Sequence, residues 1–321
     1  MRHPPYHLRL NKAVDRATLI EVIRALELNP AECVYFGFGG PYLEDFRLMY
    51  EFFPQMDMFS IENSKETCKR QRFHLPCCTI KLINRDMKTF LARHNLPNDK
   101  KSIVWLDYND LEYGNFADFQ VVLTKVAPDS IVKITLRADP KDFRGPDPKE
   151  VEEKRDNFRK KFSEFLPNPS KLQRRLRKLP YLLQDMLRIA SQQALPGDSP
   201  LIFQPVLSFF YNDGTQMFTL TGVVCRREEA SKIEKALKNW KSINLKWNLK
   251  WNKPQSIDVP TLSTKERLYL ATMLPCSKNP GKTLRKALGY LIEDDQSSTE
   301  EKLKQYSDFH RYFPYFIRGI P

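Results

Sequence analysis

The chain contains few of the residues that build metal centres and disulfide frameworks. It has six cysteines and five histidines among 321 residues, and no two cysteines have the C-x-x-C spacing typical of zinc and redox sites. No apolar run approaches the roughly 18–20 residues that span a bilayer, and the first residues lack the apolar centre of a signal peptide. We therefore expect reduced thiols, no metal site, no membrane segment and a cytoplasmic location.

Glycine is scarce too, with 11 residues, yet three glycines lie close together behind a short apolar stretch. The segment Phe36-Gly37-Phe38-Gly39-Gly40 follows residues typical of a buried strand and precedes an amphipathic helical pattern. Closely spaced glycines let the backbone approach a ligand, and a helix that starts behind them offers free N–H groups. The segment predicts a ligand-binding turn, with a plain strand-to-helix turn as the alternative.

Strand-like and helix-like patterns alternate along the first part of the chain. After the glycine segment, strand patterns occur at 56–61, 78–83, 102–106 and 130–136, each followed by a helical pattern or a turn. Two more strands, at 201–211 and 216–225, flank a strong Asn-Asp-Gly hairpin turn. This order predicts a mostly parallel, seven-stranded α/β sheet that ends in an antiparallel hairpin.

Acidic residues follow several of these predicted strands. Glu62 ends the second strand, 22 positions beyond Gly40, while Asp86 and Asp107 follow the third and fourth strands. Because the carboxyl ends of parallel strands meet at one edge of a sheet, these side chains and the glycine turn share a predicted crevice. A carboxylate at the end of the second strand can accept hydrogen bonds from ribose hydroxyls. A helix-capping role for Glu62 is the alternative.

The net charge of +13 is concentrated in the second half of the chain. Residues 141–195 contain 14 Lys and Arg against 8 Asp and Glu, and residues 226–321 contain 19 against 11. Five of the basic residues lie within 171–178. Such an excess predicts a polyanionic partner, and nucleic acid is the first candidate. A solvated basic surface without a partner is the alternative.

We predict two domains, 1–228 and 229–321. The first contains the sheet, with a charged and helical insertion over about 139–195. The second is a small, basic, mainly helical module in which Leu245–Trp251 alternates apolar and polar residues as a half-exposed strand does. This module and the basic segment 171–178 are the expected binding regions for nucleic acid, and the module is also a candidate site for a protein partner.

Together these features resemble the class I S-adenosylmethionine-dependent methyltransferases. The likeness covers roughly residues 15–228, and it depends on the order and spacing of the glycine turn, the three strand-end carboxylates and the terminal hairpin. The stretch Asp107-Tyr108-Asn109-Asp110 is also similar to that of bacterial proteins described as "putative O-methyltransferases". The resemblance implies a Rossmann-like methyltransferase fold with S-adenosylmethionine as the cofactor.

The resemblance also implies which residues bind the cofactor. The glycines of the turn let the backbone pass the methionine part, Glu62 holds the ribose hydroxyls, and Asp86 accepts a hydrogen bond from the adenine amino group. Asp107 lies beside the reactive methyl group. The implied cofactor-binding residues are Phe36, Gly37, Gly39, Gly40, Glu62, Asp86 and Asp107.

The implied catalytic residues are Asp107, Tyr108 and Asp110. An oxygen nucleophile needs a general base, and either Asp107 or Asp110 can supply it if a pocket raises its pKa. Tyr108 either faces the substrate or packs on the cofactor as a core aromatic residue. No metal ligand is among the implied site residues.

The predicted function is an S-adenosylmethionine-dependent methyltransferase that acts on nucleic acid or on a nucleic-acid-associated substrate. Tyr35 and Phe36 occupy the region where this family usually has an acidic residue, and Asp107-Tyr108-Asn109-Asp110 departs from the Asp/Asn-Pro-Pro-aromatic tetrad of amino methyltransferases. These departures keep open a catalytically inert scaffold that binds nucleic acid or a protein partner. Because a ribose-binding Glu62 does not require a sulfonium group, another adenine nucleotide is a further alternative.

Overall fold

Eight strands pair into a single sheet in the computed structural model, which describes residues 9–168, 170, 172–240, 245–275 and 278–312. The seven predicted strands are all present, and one short strand is added at an edge. The strands are β1 Cys33–Gly37, β2 Asp57–Glu62, β3 Ile80–Asn84, β4 Lys101–Asp107, β5 Ser130–Arg137, β6 Leu201–Asn212, β7 Gln216–Arg226 and β8 Gln255–Ile257.

The order of the strands places a ligand-binding position at one end of the sheet. Across the sheet the order is β3-β2-β1-β4-β5-β7-β6-β8, with β1 to β5 parallel and β7 antiparallel to both β5 and β6. From β1 the chain adds β2 and β3 on one side, and it then returns to place β4 on the other side of β1. The order in which strands are added therefore reverses between β1 and β4. Ligands of open α/β sheets bind in the crevice at the carboxyl ends of the strands beside such a reversal. The predicted fold, a mostly parallel Rossmann-like sheet with a terminal hairpin, is confirmed.

Helices cover both faces of this sheet. Most are short, and the two longest helices, of 16 residues each, pack on opposite faces. The helices are α1 Leu10–Ala25, α2 Glu44–Phe52, α3 Lys65–Phe73, α4 Met87–Arg93, α5 Tyr113–Lys125, α6 Pro148–Lys161, α7 Leu172–Leu176, α8 Leu179–Ala194, α9 Ala230–Asn239, α10 Thr264–Ala271, α11 Pro280–Leu288 and α12 Gln296–Phe309. In the described part of the chain, no helix is both long and apolar enough to cross a membrane.

Side chains of the central strands divide between two hydrophobic cores. Along β1, Cys33 and Tyr35 belong to the core under α1, whereas Val34 and Phe36 belong to the core under α5 and α8. This division follows from strand geometry, because successive side chains point to opposite faces. All five residues of β1 are buried, so the strand that leads into the glycine turn is held rigidly from both sides.

The residues after 228 pack on the face that carries α1. Leu270, Leu284 and Leu303, one from each of α10 to α12, are fully buried in the same core as β1. The Trp240 indole N–H donates a hydrogen bond to Glu21 of α1, at 2.9 Å. The predominance of helices in this region agrees with the sequence prediction.

The strand predicted for Leu245–Trp251 is wrong, because this segment has no regular structure. Its backbone is held by the buried side chain of Asn248, whose amide donates to Gln184 Oε1 at 3.0 Å and to the Asn252 carbonyl at 2.9 Å. The side chains of Gln184 and Gln204 donate to the carbonyls of Trp251 and Leu249, so side-chain hydrogen bonds replace the ladder that a strand would need.

Candidate active site

The turn that follows β1 requires glycine at two positions, for different reasons. A Cβ added to Gly39 would lie 2.3 Å from Leu43 Cδ2 and 2.8 Å from Ser60 Oγ, so any side chain would collide there. Gly40 has space around it but adopts φ of +52°, a left-handed conformation that side chains disfavour. The turn therefore needs both glycines to keep its shape.

Buried polar groups fix the turn from below. The Gly39 N–H donates to Ser60 Oγ at 3.3 Å, and the Ser60 hydroxyl donates to Gln71 Oε1 at 3.2 Å. The Gln71 amide in turn donates to the Gly40 carbonyl at 2.8 Å. Ser60 lies on β2 and Gln71 on α3, so two neighbouring elements hold the glycine backbone in place.

A cleft of about 450 Å³ opens directly behind this turn, at the carboxyl ends of β1, β2 and β4. Seven carboxylates and three basic side chains line it, which gives the cleft an excess of negative charge. The basic residues are Arg16, Arg85 and Lys88. The carboxylates are Glu44, Asp45, Glu62, Asp86, Asp107, Asp110 and Asp118.

The structure brings most of the predicted site residues together in this cleft. Gly39, Gly40, Glu62, Asp86, Asp107, Tyr108 and Asp110 all line it. Phe36 and Gly37 do not, because they lie within β1. Phe36 is 4% exposed and its ring stacks on Phe59 with the centroids 5.1 Å apart, so the structure places it in the core below the turn.

Glu62 keeps one carboxylate oxygen for a ligand. Its Oε1 accepts a hydrogen bond from the Ser64 N–H at 2.8 Å. The cap of α3 is Ser64, whose hydroxyl accepts from the Thr67 N–H at 3.2 Å. Ser64, and not Glu62, is therefore the cap of this helix. Within the described residues, no hydrogen bond to Glu62 Oε2 is present, and that oxygen is available at the cleft.

Asp86 caps the helix that follows it. Its Oδ1 accepts from the Thr89 N–H at 2.8 Å, and its Oδ2 accepts from the Thr89 hydroxyl at 2.7 Å. These hydrogen bonds hold the pKa of the Asp86 carboxyl below its usual value. Since each carboxylate oxygen has two lone pairs, the same group can also accept a bond from a ligand in the cleft.

Tyr108 is held as a hydrogen-bond donor. Its hydroxyl donates to Asp118 Oδ2 at 2.6 Å, and its ring meets the Phe38 ring edge-on at 5.1 Å. Burial, reinforced by the nearby Asp118, raises the pKa of the Tyr108 phenol well above its usual value. Burial also raises the pKa of Asp118. Tyr108 therefore stays protonated near neutral pH.

Asp107, at the end of β4, is paired with a lysine that sequence reasoning missed. Lys12 Nζ lies 2.6 Å from Asp107 Oδ1, and it also lies 4.4 Å from the centre of the Trp105 ring. Behind it, the fully buried Lys133 pairs with Asp15 at 2.5 Å. Charged residues of α1 thus support the floor of the site from the core side.

A second residue of α1 supports the wall of the cleft. Arg16 Nε donates to Asp45 Oδ1 at 2.8 Å, and both side chains are buried. Burial raises the pKa of Asp45, while the Arg16 charge opposes that change. Lys12, Asp15 and Arg16 recur at the three- and four-residue spacing of one helix face. That spacing is the signal by which the sequence could have indicated their common role.

Asp110 is the most exposed of the predicted catalytic residues. Its Oδ1 accepts from the Asn115 amide at 2.8 Å, and its carbonyl accepts from the Arg137 N–H at 3.1 Å. These bonds fix the loop after β4, so Asp110 lines the outer part of the cleft.

A smaller pocket of about 230 Å³ adjoins the cleft and shares Asp107 and Asn109 with it. We call it the side pocket. It combines apolar walls with basic and acidic groups. The remaining lining residues are Arg9, Lys12, Arg137, Tyr211, Asp213, Thr215 and Met217.

Comparison with known proteins places this fold and site in a family. The chain belongs to the family described as "Putative O-methyltransferase", whose model matches residues 4–320. Together, the fold and the family define a class I, Rossmann-like methyltransferase. A search of the curated proteins found no match.

Among solved structures, the chain is similar to a "putative O-methyltransferase" from Klebsiella pneumoniae, with 11% sequence identity and a TM-score of 0.41. That match covers 69% of this chain and 83% of the other. It is also similar to a "probable spermidine synthase" from Corynebacterium glutamicum, with 13% identity and a TM-score of 0.42. This match covers 80% of this chain and 82% of the other.

Proposed function

We propose that this protein is an S-adenosylmethionine-dependent methyltransferase whose acceptor is a nucleic acid or a nucleic-acid-associated molecule. The observation that carries the proposal is the acidic cleft behind the glycine turn, with carboxylates at the ends of β2 and β4. Membership of the O-methyltransferase family supports the class of reaction.

The charge of the cleft fits S-adenosylmethionine better than it fits a nucleoside phosphate. This cofactor carries a sulfonium and an ammonium group against one carboxylate, so it is a net cation. The cleft has seven carboxylates against three basic side chains, and such an excess of negative charge attracts a cation and repels phosphate. The balance argues against a nucleoside diphosphate or triphosphate in this cleft.

The residues that would hold the cofactor are those around the turn and the strand ends. Gly39 and Gly40 line the cleft, and the space beside Gly40 is open, so their backbone can approach the methionine part. Glu62 Oε2 offers an acceptor for the ribose hydroxyls. Asp86, directly after β3, offers acceptor oxygens for the adenine amino group.

When bound, S-adenosylmethionine supplies a methyl group on a positively charged sulfur, and transfer of the methyl group leaves a neutral thioether. The chain must then position the acceptor and take up its proton. Asp107 is the proposed general base that removes the proton of an acceptor hydroxyl. It lies at the junction of the cleft and the side pocket. Lys12 holds Asp107 Oδ1 at 2.6 Å, and no hydrogen bond to Oδ2 is present among the described residues, so that oxygen can receive the proton. Tyr108, which stays protonated, positions groups rather than removing a proton.

The side pocket is the proposed acceptor site. It opens beside Asp107 and Asn109, and Tyr211 and Met217 provide apolar walls against which a flat ring can pack. Arg9 and Arg137 line the same pocket, and arginine is suited to bind the phosphates that flank a nucleotide. The net charge of +13 supports a polyanionic acceptor.

We further propose residues 229–321 as the module that binds a partner. In its described part, large apolar side chains remain exposed on α10 and after α11, including Leu268 at 60% and Leu291 at 47%. Exposed apolar groups that lie close together are typical of protein interfaces. The basic residues of the module support nucleic acid as the alternative partner.

The proposal is tested by following the labelled methyl group of S-adenosylmethionine. The purified protein is incubated with the labelled cofactor and with total RNA, DNA or protein in separate reactions, and each polymer is then recovered and counted. We expect label in a nucleic acid or in a nucleic-acid-bound protein, and no label with Asp107→Asn. Transfer that is unaffected by Asp107→Asn would overturn the catalytic assignment. Binding of nucleic acid without any transfer would favour an inert scaffold.

A further inference from the structure

A third concave surface lies in the insertion between β5 and β6, and its charge is opposite to that of the cleft. This pocket of about 390 Å³, which we call the arginine pocket, carries Arg144, Arg155 and Arg177. Its apolar floor is formed by Phe143, Val151 and Leu176. None of the described residues that line it is acidic.

The three arginines retain unused hydrogen-bonding capacity. Arg155 donates through NH1 to Glu152 at 3.1 Å, but its Nε is buried and has no acceptor among the described residues. No side-chain hydrogen bond or ion pair of Arg144 or Arg177 is present in the described part of the chain. An oxyanion in the pocket would give the exposed side chains of Arg144 and Arg177 the acceptors that they lack in the described part of the chain.

The pocket is built from three separate segments that pack together. Val151, on α6, and Leu176, on α7, are both buried. Phe143 meets Phe158 edge-on, with the ring centroids 5.3 Å apart. The arginines are thus carried by a packed scaffold rather than by a single mobile loop, which favours binding of a fixed anionic group.

One ion pair connects the arginine pocket with the side pocket. Arg137, which lines the side pocket, donates to both carboxylate oxygens of Asp142, at 2.8 and 2.7 Å. Asp142 belongs to the short turn Pro140–Phe143, and that turn carries Phe143 of the arginine pocket. The short segment 137–143 therefore contributes residues to both pockets.

From this arrangement we propose that the arginine pocket binds a backbone phosphate of a nucleic-acid strand whose target nucleotide lies in the side pocket. The proposal rests on the proposed function, since it names where the acceptor is anchored. A concave group of three arginines matches a single phosphate, because guanidinium groups bind its oxygens in a fixed fork geometry.

The test compares two charge-matched double variants of the full chain. Arg144→Gln/Arg177→Gln removes two pocket arginines, whereas Lys149→Gln/Lys160→Gln removes two exposed basic residues of the same insertion that neither line the pocket nor belong to the segment 171–178. Binding of a labelled single-stranded RNA of about 20 nucleotides, and of the same DNA sequence, is measured over a range of salt concentrations. Thermal unfolding confirms that both variants fold.

We expect the pocket variant to bind the strand about tenfold more weakly. The slope of log K against log salt should also fall by about 0.7, because one phosphate contact to a single strand is lost. The control variant should change the affinity by less than about twofold. Equal losses of affinity in both variants would show that the pocket arginines act only through general surface charge, and this result would overturn the proposal. Binding of anionic lipid vesicles in place of either strand would overturn it as well.

Failure of this proposal is distinguishable from failure of the proposed function. Titration with S-adenosylhomocysteine reports on the cleft alone, and we expect the pocket variant to bind it as the wild type does. Intact binding of S-adenosylhomocysteine together with strand binding that does not depend on Arg144 and Arg177 would refute only the arginine pocket.

Discussion

The cleft and the arginine pocket carry opposite charge on one basic chain. The cleft is lined by seven carboxylates and three basic side chains, whereas three arginines and no described acidic residue line the arginine pocket. The net charge of +13 is therefore not a property of the cleft. The difference indicates that the molecule separates a position for a cationic ligand from a position for an anionic one.

The two regions also differ in how their charges are supported. In the cleft, Asp45 and Asp107 are paired with Arg16 and Lys12 of α1, and these pairs lie against the core. In the arginine pocket, Arg144 and Arg177 are exposed. Substitutions in the cleft should therefore affect both stability and function, while substitutions in the arginine pocket should affect binding alone.

The largest expected effect is that of Asp107→Asn on methyl transfer. Loss of a general base typically lowers a rate by about 10²–10⁴-fold, and Asn keeps the size of the side chain. We expect this loss in single-turnover transfer of labelled methyl groups at saturating cofactor, with binding of RNA unchanged. The matched variant Asp110→Asn should cost far less, and a larger loss there would move the base from Asp107 to Asp110.

The next prediction compares the stability that a buried ion pair near the cleft and an exposed ion pair near the arginine pocket contribute. Asp15→Asn leaves Lys133 buried without its counter-charge, and breaking a buried ion pair costs about 3–5 kcal/mol. Asp142→Asn breaks an ion pair whose side chains are 37% and 39% exposed and should cost about 0–1 kcal/mol. Urea unfolding of both variants measures the free energies. Equal losses would show that the α1 pair is not a buried support.

A smaller effect is expected from Glu62→Gln on cofactor binding. The change removes the charge of the proposed ribose acceptor while keeping its shape, and we expect S-adenosylhomocysteine to bind about tenfold more weakly. Glu66→Gln removes an equal charge from the exposed start of α3 and serves as the control. If the two variants bind equally, Glu62 has no specific role.

The smallest effect concerns Asp86, and it depends on pH. Asp86→Ala removes the cap of α4 and should cost about 1 kcal/mol, whereas Asp86→Asn should cost little because Asn also caps helices. The hydrogen bonds from Thr89 lower the pKa of Asp86 in the folded protein. Its contribution is therefore present above the unfolded pKa of about 3.9 and is lost as the pH falls through the lower, folded value. Unfolding measured at neutral and acidic pH should show a smaller cost of Asp86→Ala at acidic pH, where the charge-dependent part of the cap is lost.

The cleft was largely predictable because its parts follow local rules. The glycine turn follows the buried strand β1, and Glu62 and Asp107 end β2 and β4. A parallel sheet must bring these strand ends together. The ion pair of Lys12 with Asp107 joins residues 95 positions apart, and no local pattern carries that information.

The arginine pocket was even harder to predict, because it also joins residues that are distant in the sequence. Arg177 belongs to the basic segment predicted at 171–178, but Arg144 and Arg155 lie outside it, and only the packing of the insertion brings the three together. The false strand at Leu245–Trp251 failed for a related reason. Its alternation was real, but side chains of Gln184 and Gln204 bind the carbonyls of Trp251 and Leu249, which a ladder would have used.

The most direct test of the central claim is a calorimetric titration of the protein with S-adenosylhomocysteine. We expect binding with a Kd of about micromolar, weakened by Glu62→Gln and unchanged by Arg144→Gln/Arg177→Gln. No binding by the wild type, or binding that Glu62→Gln leaves unchanged, would contradict the assignment of the acidic cleft as the cofactor site.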